Sequence, residues 1–168
     1  MPIHLKRVMT SIEKDHVYTL RHKVFVQEEI RFSSRSSRIH DFYDSFDETI
    51  NILGFDNGIP VGTIRVTLDN PVDLPSSEHY DFSGYMDRLE GKCASVGWLC
   101  ILKRYRRHPG LLTGLFKMVV REMRKNDCRH IITTVHPPVF EMLKRCFGAE
   151  AIDEAFLSQD PAVSMLPV

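Results

Sequence analysis

The segment from residue 95 to residue 116, SVGWLCILKRYRRHPGLLTGLF, contains the elements that decide the fold. It begins with an almost wholly apolar run, SVGWLCIL, which is typical of a buried strand. A basic turn follows, and from Gly110 to Lys125 apolar residues recur every three or four positions, which predicts a helix. Because HIITTV at residues 130–135 is a further predicted strand, the helix connects two strands that we expect to be parallel.

The turn between this strand and this helix has the composition of an anion-binding site. Gly110, at the predicted helix start, lets a ligand approach the backbone closely. The first N–H groups of a helix lack intrahelical acceptors, and the helix dipole adds positive potential there. We therefore expect a phosphate or pyrophosphate to bind here; the alternative is a solvated helix end with surface arginines. The predicted site comprises Arg106, Arg107, His108, Gly110, Leu111, Leu112 and Thr113.

The N-terminal half predicts a helix, a loop and a hairpin. Residues 11–30 have the apolar spacing of an amphipathic helix, with Thr10 or Ser11 as its N-cap. The run RFSSRSSR at residues 31–38 lacks apolar periodicity, so we expect a surface loop that is a candidate substrate lid. TINILGF and VGTIRVTL are predicted strands, and Asn57–Gly58 between them is a strong hairpin signal.

The C-terminal half completes an α+β fold with α/β/α layers, which we expect to be a single domain spanning residues 1–168. A short helix is predicted near residues 85–89. PPVFEMLKRCF is a predicted helix that ends at Gly148, and AVSMLPV is a predicted last strand. Ligands in such sheets bind beyond the carboxyl ends of the parallel strands, which is where the basic turn lies.

The net charge is zero, but the charges are segregated along the chain. Residues 41–90 contain eleven acidic and two basic residues, a balance of −9, and residues 103–130 contain nine basic and two acidic residues, a balance of +7. The basic region is therefore expected to attract anions, and the acidic region cations or amines. The alternative is that both regions are merely solvated surfaces. Nucleic acid is not expected, because no aromatic stacking platform interleaves the basic residues. The N-terminus lacks the apolar core of a signal peptide, so we expect a soluble cytoplasmic protein.

The placement of the cysteines argues against a metal site. They are scattered, without a C-x-x-C pair and without histidines at zinc-finger spacing. We expect them to be reduced, buried small residues, and we expect no bound metal. The cysteines are Cys93, Cys100, Cys128 and Cys146.

The stretch LCILKRYRRHPGLLTGLF resembles the signature of the GNAT acyltransferase superfamily, in which a strand leads to R-x-x-G-x-G or A and then a helix. Arg107 and Gly110 match the first two marked positions, and Leu112 stands where the superfamily has Gly or Ala. HIITTVHPPVFEMLKRCFGAEAI resembles the strand and helix that follow. The resemblance implies the GNAT fold, a mixed central sheet with a parallel strand pair splayed around the acyl-donor arm.

The N-terminal half narrows this resemblance. LRHKVFVQEEI and DFYDSFDETINILGFDNGIPVGTIRVT are similar in order and spacing to the acyl-homoserine-lactone (autoinducer) synthases and the N-acyl amino acid synthases. The residues that carry the similarity are Arg21, Phe25, Asp44, Asp47 and Arg65. It implies an N-acyltransferase that moves a fatty acyl group from acyl carrier protein, or from acyl-CoA, to the amine of a small acceptor, and we expect an amino acid.

The resemblance also implies where the acyl-phosphopantetheine donor lies, with no tightly bound cofactor. In the superfamily the donor carbonyl and arm hydrogen-bond to the central strand, and the matching positions are Leu99, Cys100, Ile101 and Leu102, the first two beside the reacting carbonyl. A carrier protein presents a single phosphodiester, which needs less room than a pyrophosphate and therefore fits beside Leu112. Because it presents this group on an acidic helix, we also expect a basic surface on the enzyme. The expected surface comprises Lys103, Arg104, Arg106, Arg107, Arg121, Arg124 and Lys125.

The resemblance leaves the general acid and base unassigned. The related synthases commonly have E-x-S-R on the central strand, where this chain has Ser95 and Trp98. Many GNAT enzymes use a tyrosine in the helix before the terminal Gly as a general acid. This tyrosine is absent here, and the residues at its position are Leu143 or Lys144. Candidates to hold or deprotonate the amine are Asp44, Asp47, Glu29 and His136. Candidates to bind the substrate are Arg21, Phe25, Arg65 and Trp98.

Two alternatives stay open at this point. The first is an acyl-homoserine-lactone synthase, which shares the fold and the donor. The second is a catalytically silent GNAT domain that binds an acyl carrier or another partner protein, because the familiar acid, base and arginine are missing.

Overall fold

A mixed sheet forms the centre of the fold. The structure is a computed structural model, and it describes residues 2–28, 36–152 and 166–167. Within these ranges the sheet contains five strands in chain order: β1 His4–Arg7, β2 Thr49–Asp56, β3 Ile59–Leu68, β4 Lys92–Ile101 and β5 Cys128–Ile132. The strands β1 to β4 pair antiparallel, and β4 and β5 pair parallel. The predicted parallel pair on either side of the basic helix is confirmed.

Helices cover both faces of this sheet. They are α1 Ser11–His22, which continues as a π-helical segment Lys23–Glu28, then α2 Ser83–Met86, α3 Leu111–Lys125 and α4 Pro137–Phe147. A Cβ atom at Gly62 of β3 would lie 3.4 Å from Leu111 of α3. Arg65 has the opposite parity, and it shares Asp44 with Arg21 of α1. Because side chains alternate along a strand, α1 and α3 lie on opposite faces, which confirms the α/β/α layers.

The hairpin between β2 and β3 forms as predicted. Asn57 and Gly58 both have positive φ angles, of 49° and 80°. This is the backbone pattern of a type I′ turn, whose twist matches that of the flanking strands. The turn and a β-bulge at Val61, which adds one residue to β3 between the turn and Gly62, together set the register that brings Asn51 of β2 opposite Arg65 of β3.

Two predicted elements differ in detail from the structure. HIITTV is not one strand, because β5 ends at Ile132 and the next strand, β6 Thr134–Val135, pairs with β7 Leu166–Pro167. The short helix near residues 85–89 is α2, which begins two residues earlier. Of the predicted last strand, only β7 is among the described residues, and residues 31–35 of the predicted loop and Glu29 lie outside them.

The core between the layers is apolar, and it includes most of the cysteines. Cys93, Cys100 and Cys128 are buried free thiols. Cys146, near the end of α4, is exposed, so the expectation that every cysteine is buried is wrong for this residue. None of the helices in the described ranges combines the length and the apolar composition that crossing a bilayer requires.

The first helix begins with a capping box. Thr10 is the N-cap, and its side chain accepts a hydrogen bond from the backbone N–H of Glu13. The Glu13 carboxylate accepts in return from the N–H groups of Met9 and Thr10, at 2.8 and 3.1 Å, and pairs with Lys6 of β1. The cap thus connects α1 to the edge strand of the sheet.

Replacing Glu13 with Gln tests this cap through its pH dependence. The hydrogen bond from Lys6, then those from Met9 and Thr10, lower the pKa of Glu13 from its ordinary value of 4.5 to about 2. The carboxylate therefore stabilises the fold at neutral pH, and this contribution is lost as the pH falls from 4.5 towards 2. Urea unfolding should show a difference between wild type and Glu13→Gln that is larger at pH 7 than at pH 3, and a pH-independent difference would contradict the assignment.

Candidate active site

The parallel strands β4 and β5 separate at their carboxyl ends. Their pairing ends at Ser95 and Ile132, although β4 continues to Ile101. At the point of separation the Thr133 hydroxyl donates a hydrogen bond of 2.6 Å to the carbonyl of Val96. The chain after Thr133 pairs with β7, so it diverges from β4 beyond Ser95, and we call the region between them the cleft. This is the splayed pair that the sequence predicts.

A β-bulge lies on β4 inside this cleft. Arg65 of β3 pairs with Gly97, whereas Thr63 pairs with Cys100, so β4 has one extra residue in this interval. Trp98, in the bulge, has a φ of 49°. A left-handed conformation costs a bulky residue about 1–3 kcal/mol, so surrounding contacts must hold it in place.

A buried ion-pair cluster supplies those contacts from the α1 face of the sheet. Arg21 of α1 is fully buried and donates to both carboxylate oxygens of Asp44, at 2.5 and 3.1 Å. It also donates to the Asn51 side-chain oxygen at 2.7 Å. Among the described residues no acceptor lies within hydrogen-bond distance of its Nε. The guanidinium carbon instead lies 4.9 Å from the centre of the Trp98 ring, which offers a π face.

The second half of the cluster is centred on Arg65 and Asp41. Arg65 donates to Asp41 at 2.5 Å, and its Nη1 lies 3.5 Å from Asp44. The indole N–H of Trp98 donates to the other Asp41 oxygen at 2.8 Å. Asp41 and Asp44 begin and end one turn of a short 3-10 helix, Phe42–Ser45, and the Asp41 N–H donates to Asp44. Two carboxylates and two guanidinium groups therefore form one neutral network around Trp98.

The predicted substrate-binding residues come together in this network. The Phe25 ring packs edge-on against Trp98 with centroids 5.5 Å apart, and Arg65 lies 6.0 Å from the same indole. Arg21, Phe25, Arg65 and Trp98 thus form one cluster beside the cleft. Both arginines are already neutralised by carboxylates and hold Asp41, Asp44 and Trp98 in position, and their role in binding the substrate stays a prediction.

The surroundings of Asp44 disfavour the predicted role of this carboxylate in binding or deprotonating an amine. Burial alone would raise the pKa of Asp44, but the hydrogen bonds and charge of Arg21 and the charge of Arg65 outweigh it and hold the pKa below its ordinary value. A carboxylate with a lowered pKa is a weak base, and the Asp44 side chain is only 2% exposed. It positions Arg21 and Arg65 instead.

The cluster contains a second acidic residue, Asp41, which was not among the predicted site residues. Its side chain is 32% exposed, so it is accessible where Asp44 is not. The stretch DFYDSFD contains two overlapping Asp-x-x-Asp pairs. Asp44 and Asp47 are the predicted site residues, whereas Asp41 and Asp44 are the pair in the cluster. Asp47 is exposed, just beyond the short helix. The order of acidic and aromatic residues gives no signal that separates the two pairs.

The remaining candidates lie around the cleft or outside the described residues. His136 is the N-cap of α4, immediately after β6, and it is half-buried. Its position beyond the carboxyl ends of the strands keeps it a candidate base, and this stays a prediction. Leu99, Cys100 and Ile101 lie on the part of β4 that borders the cleft, and Leu102 follows directly. Glu29 lies outside the described residues.

The predicted anion-binding turn begins directly after β4. Gly110 is the N-cap of α3 and has a φ of 87°, which favours glycine. The Leu111 N–H makes a long contact of 3.5 Å with the His108 carbonyl, and the first full helical bond is from Gly114 to Gly110. The helix start therefore leaves the N–H groups of Leu112 and Thr113 for a ligand.

Two contacts hold the turn against the sheet. The Tyr105 hydroxyl donates to Asp56 of the β2–β3 hairpin at 2.6 Å, which raises the pKa of Tyr105. Arg106 donates from Nε to the Ile101 carbonyl at 3.2 Å, so its stem is fixed at the end of β4. Arg107 and Gly110 are exposed, as an anion site requires. The turn is thus preorganised next to the cleft.

These features define an acyltransferase with the GNAT fold. The chain belongs to the family described as N-acyl amino acid synthase FeeM, whose profile matches residues 16–165. No curated protein sequence matches the chain.

Solved structures show the same fold. The N-acyl amino acid synthase FeeM from uncultured soil microbes has a TM-score of 0.80 and 13% identity, over 99% of this chain and 88% of that one. An acyl-CoA N-acyltransferase from Pseudomonas aeruginosa has a TM-score of 0.69 and 18% identity, over 99% and 97%. A predicted acetyltransferase with acetyl-CoA from Clostridium acetobutylicum has a TM-score of 0.64 and 12% identity, over 92% and 94%.

Replacing Asp44 with Asn tests the buried cluster. The change leaves two buried guanidinium groups short of a counter-charge, so the free energy of unfolding should fall by about 3–5 kcal/mol. Because the pKa of Asp44 is lowered in the folded protein, the wild-type contribution is present above pH 4 and is lost as the pH falls further, so the difference should narrow in acid. Urea unfolding of both proteins measures it. The double variant Arg21→Met, Asp44→Leu should regain part of the loss, and a loss below about 1 kcal/mol for Asp44→Asn would refute the buried pair.

Proposed function

We propose that this enzyme transfers a fatty acyl group from the phosphopantetheine arm of an acyl carrier protein to the amine of an amino acid. The observation that carries this proposal is the part of β4 beyond its pairing with β5, which has the anion-binding turn at its end and Asp41 and Trp98 at its bulge. One edge therefore borders both a place for the donor phosphate and a carboxylate for the acceptor. Membership of the N-acyl amino acid synthase family supports this acceptor over the formation of a homoserine lactone.

The donor arm is proposed to lie along β4 with its phosphate at the start of α3. The arm carries amide groups, and the backbone of a strand edge offers N–H and C=O partners to such groups. The thioester then lies near Leu99 and Cys100, and the phosphate contacts the N–H groups of Leu112 and Thr113. Acyl-CoA is the second candidate donor, favoured by the acetyl-CoA and CoA of two structures with this fold. The Leu112 side chain leaves less room for a pyrophosphate than Gly or Ala would, which favours the single phosphodiester of a carrier.

The acceptor is proposed to bind through its ammonium group to Asp41. Each Asp41 oxygen already accepts one hydrogen bond and has a lone pair left for a further donor. After loss of a proton, for which His136 is the candidate base, the amine nitrogen attacks the thioester carbonyl carbon. The C–N bond forms, the C–S bond breaks, and the departing thiolate takes up a proton equivalent to the one that the amine has lost. The backbone of β4 near Cys100 stabilises the oxyanion.

An acceptor screen tests the proposed reaction directly. The enzyme is incubated with acyl carrier protein charged with a fatty acyl chain and with pooled amino acids, and free thiol and new acyl-amide masses are followed. Amine-dependent release of thiol together with an N-acyl amino acid is the expected result. A parallel reaction with acyl-CoA compares the donors. Absence of an amine-dependent product with both donors would refute the reaction.

Replacing Asp41 with Asn should weaken binding of the acceptor and leave binding of the donor unchanged. The amide keeps an oxygen for Arg65 or Trp98 but loses the charge that holds an ammonium group, so KM for the amino acid should rise about 10- to 100-fold. The KM for the donor should change little. Asp47→Asn is the comparison, because sequence reasoning favoured that residue. If Asp47→Asn has the larger effect on acceptor KM, the assignment of Asp41 is wrong.

Replacing Thr133 with Val should impair binding of the donor. The Thr133 hydroxyl donates to the Val96 carbonyl at the point where β4 and β5 separate. Its loss removes the hydrogen bond that holds the two chain segments together there. We expect KM for the donor to rise about fivefold with a smaller change in kcat, and Thr133→Ser to restore it. Thr63→Val is the matched control, because Thr63 is also buried and donates to a carbonyl, that of Ile52, on the β2 side of the sheet. Equal effects of the two valine variants on donor KM would show that the Thr133 effect is only structural.

A further inference from the structure

A groove between the outer face of α3 and the end of α4 lies outside the cleft. It has a volume of about 640 Å³. Its apolar part includes two large side chains that are exposed to solvent, Val120 at 36% and Phe147 at 50%. The Phe147 ring packs against that of Phe116 with centroids 4.7 Å apart, so the apolar surface is fixed in place. The lining residues are Thr113, Phe116, Lys117, Val120, Arg121, Arg124, Lys125 and Phe147.

The rim of this groove is strongly basic. Lys117, Arg121 and Arg124 are exposed, at spacings of four and three residues that put them on one side of α3. Among the described residues, none of these three forms an ion pair with a carboxylate. Lys125 differs, because it pairs at 2.9 Å with the buried Glu122. The rim therefore presents three uncompensated positive charges around an apolar floor.

The groove also adjoins the proposed phosphate site. Thr113 lines one end of the groove and belongs to the first turn of α3, where the donor phosphate is proposed to bind. From Thr113 to Lys125 the helix extends about 18 Å, which matches about three turns of a second helix lying alongside it. A protein docked here would hold a phosphate on its surface close to the turn.

We infer that this groove is the docking site for the acidic amphipathic helix of an acyl carrier protein. The inference rests on the proposed function, and it divides the basic surface into two parts. The arginines of the turn contact the phosphate of any donor, whereas the groove contacts only the protein that carries it. Charge complementarity attracts the acidic helix, and apolar side chains of that helix fill the surface around Val120 and Phe147.

Charge reversal in the groove tests this division with two donors that have the same reacting end. The variant Arg121→Glu, Arg124→Glu is assayed with acyl carrier protein and with free acyl-phosphopantetheine, which keeps the phosphate but lacks the protein. KM for the acylated carrier should rise at least tenfold, and kcat/KM for free acyl-phosphopantetheine should stay within twofold. Titration with apo-carrier protein should show the same loss of binding, and raised salt should weaken the wild type more than the variant.

A second variant controls for overall charge. Arg88→Glu, Lys92→Glu changes the net charge by the same amount at exposed residues outside the groove. With this variant, KM for the acylated carrier and kcat/KM for free acyl-phosphopantetheine should stay within twofold of the wild-type values. Phe147→Ser should reproduce part of the loss with the carrier, without altering the salt dependence.

The outcomes separate this inference from the proposed function. If wild type uses the acylated carrier and the groove variant uses it equally well, the docking site is wrong and the reaction stands. If the groove variant loses both donors equally, the groove acts through the active site and the docking inference is likewise overturned. If wild type does not use the acylated carrier, both the proposed donor and the docking site are refuted.

Discussion

The burial of Arg21 is the constraint on which the active-site side of the sheet depends. A guanidinium group removed from water costs several kcal/mol unless charges and hydrogen bonds replace the solvent. Asp44 and Asn51 supply them, so the chain must bring the 3-10 helix at Phe42–Ser45 down onto β2. That placement puts Asp41 within reach of Arg65, and Arg65 comes from the next strand. One buried charge thus fixes a helix, a short turn and two strands relative to one another.

The cluster also explains how a strained residue persists at the cleft. Trp98 adopts a left-handed conformation in the bulge of β4, and its indole is held by a hydrogen bond to Asp41 and by the two guanidinium groups that lie against it. These contacts come from residues far away in the sequence. The strain at the bulge is therefore balanced by the same ion pairs that hold α1, and the site is preorganised before any substrate binds.

Sequence reasoning predicted the features that local patterns determine. Two β-rich runs and the Asn57–Gly58 pair between them predicted the hairpin, and helical periodicity with Gly110 predicted the start of α3. It missed features that depend on distant partners. The division of HIITTV at Thr133 depends on the carbonyl of Val96, and the place of Asp41 in the buried cluster depends on Arg65 and Trp98. No property of a single segment encodes such pairings.

The segregation of charge has two different meanings in the folded chain. Part of the acidic stretch is internal, because Asp41 and Asp44 are neutralised by Arg21 and Arg65 rather than by solvent. The basic stretch stays outside, along α3 and in the turn before it. A count of charges along the sequence cannot separate these cases, since the arginines that compensate the acids lie on other strands and helices.

The residues at the positions of the missing Glu and Arg on β4 are both engaged in other contacts. Ser95 forms a hydrogen bond of 2.5 Å with Ser76, which connects the segment before α2 to the end of the parallel pair. Trp98 covers the guanidinium groups of Arg21 and Arg65, which would repel a third arginine at this position. An Arg there would add a third positive charge to a network that two carboxylates just neutralise. The indole instead offers Asp41 a neutral donor, so the cluster stays uncharged and leaves Asp41 to the proposed acceptor ammonium group, which a fixed Arg at this position would repel.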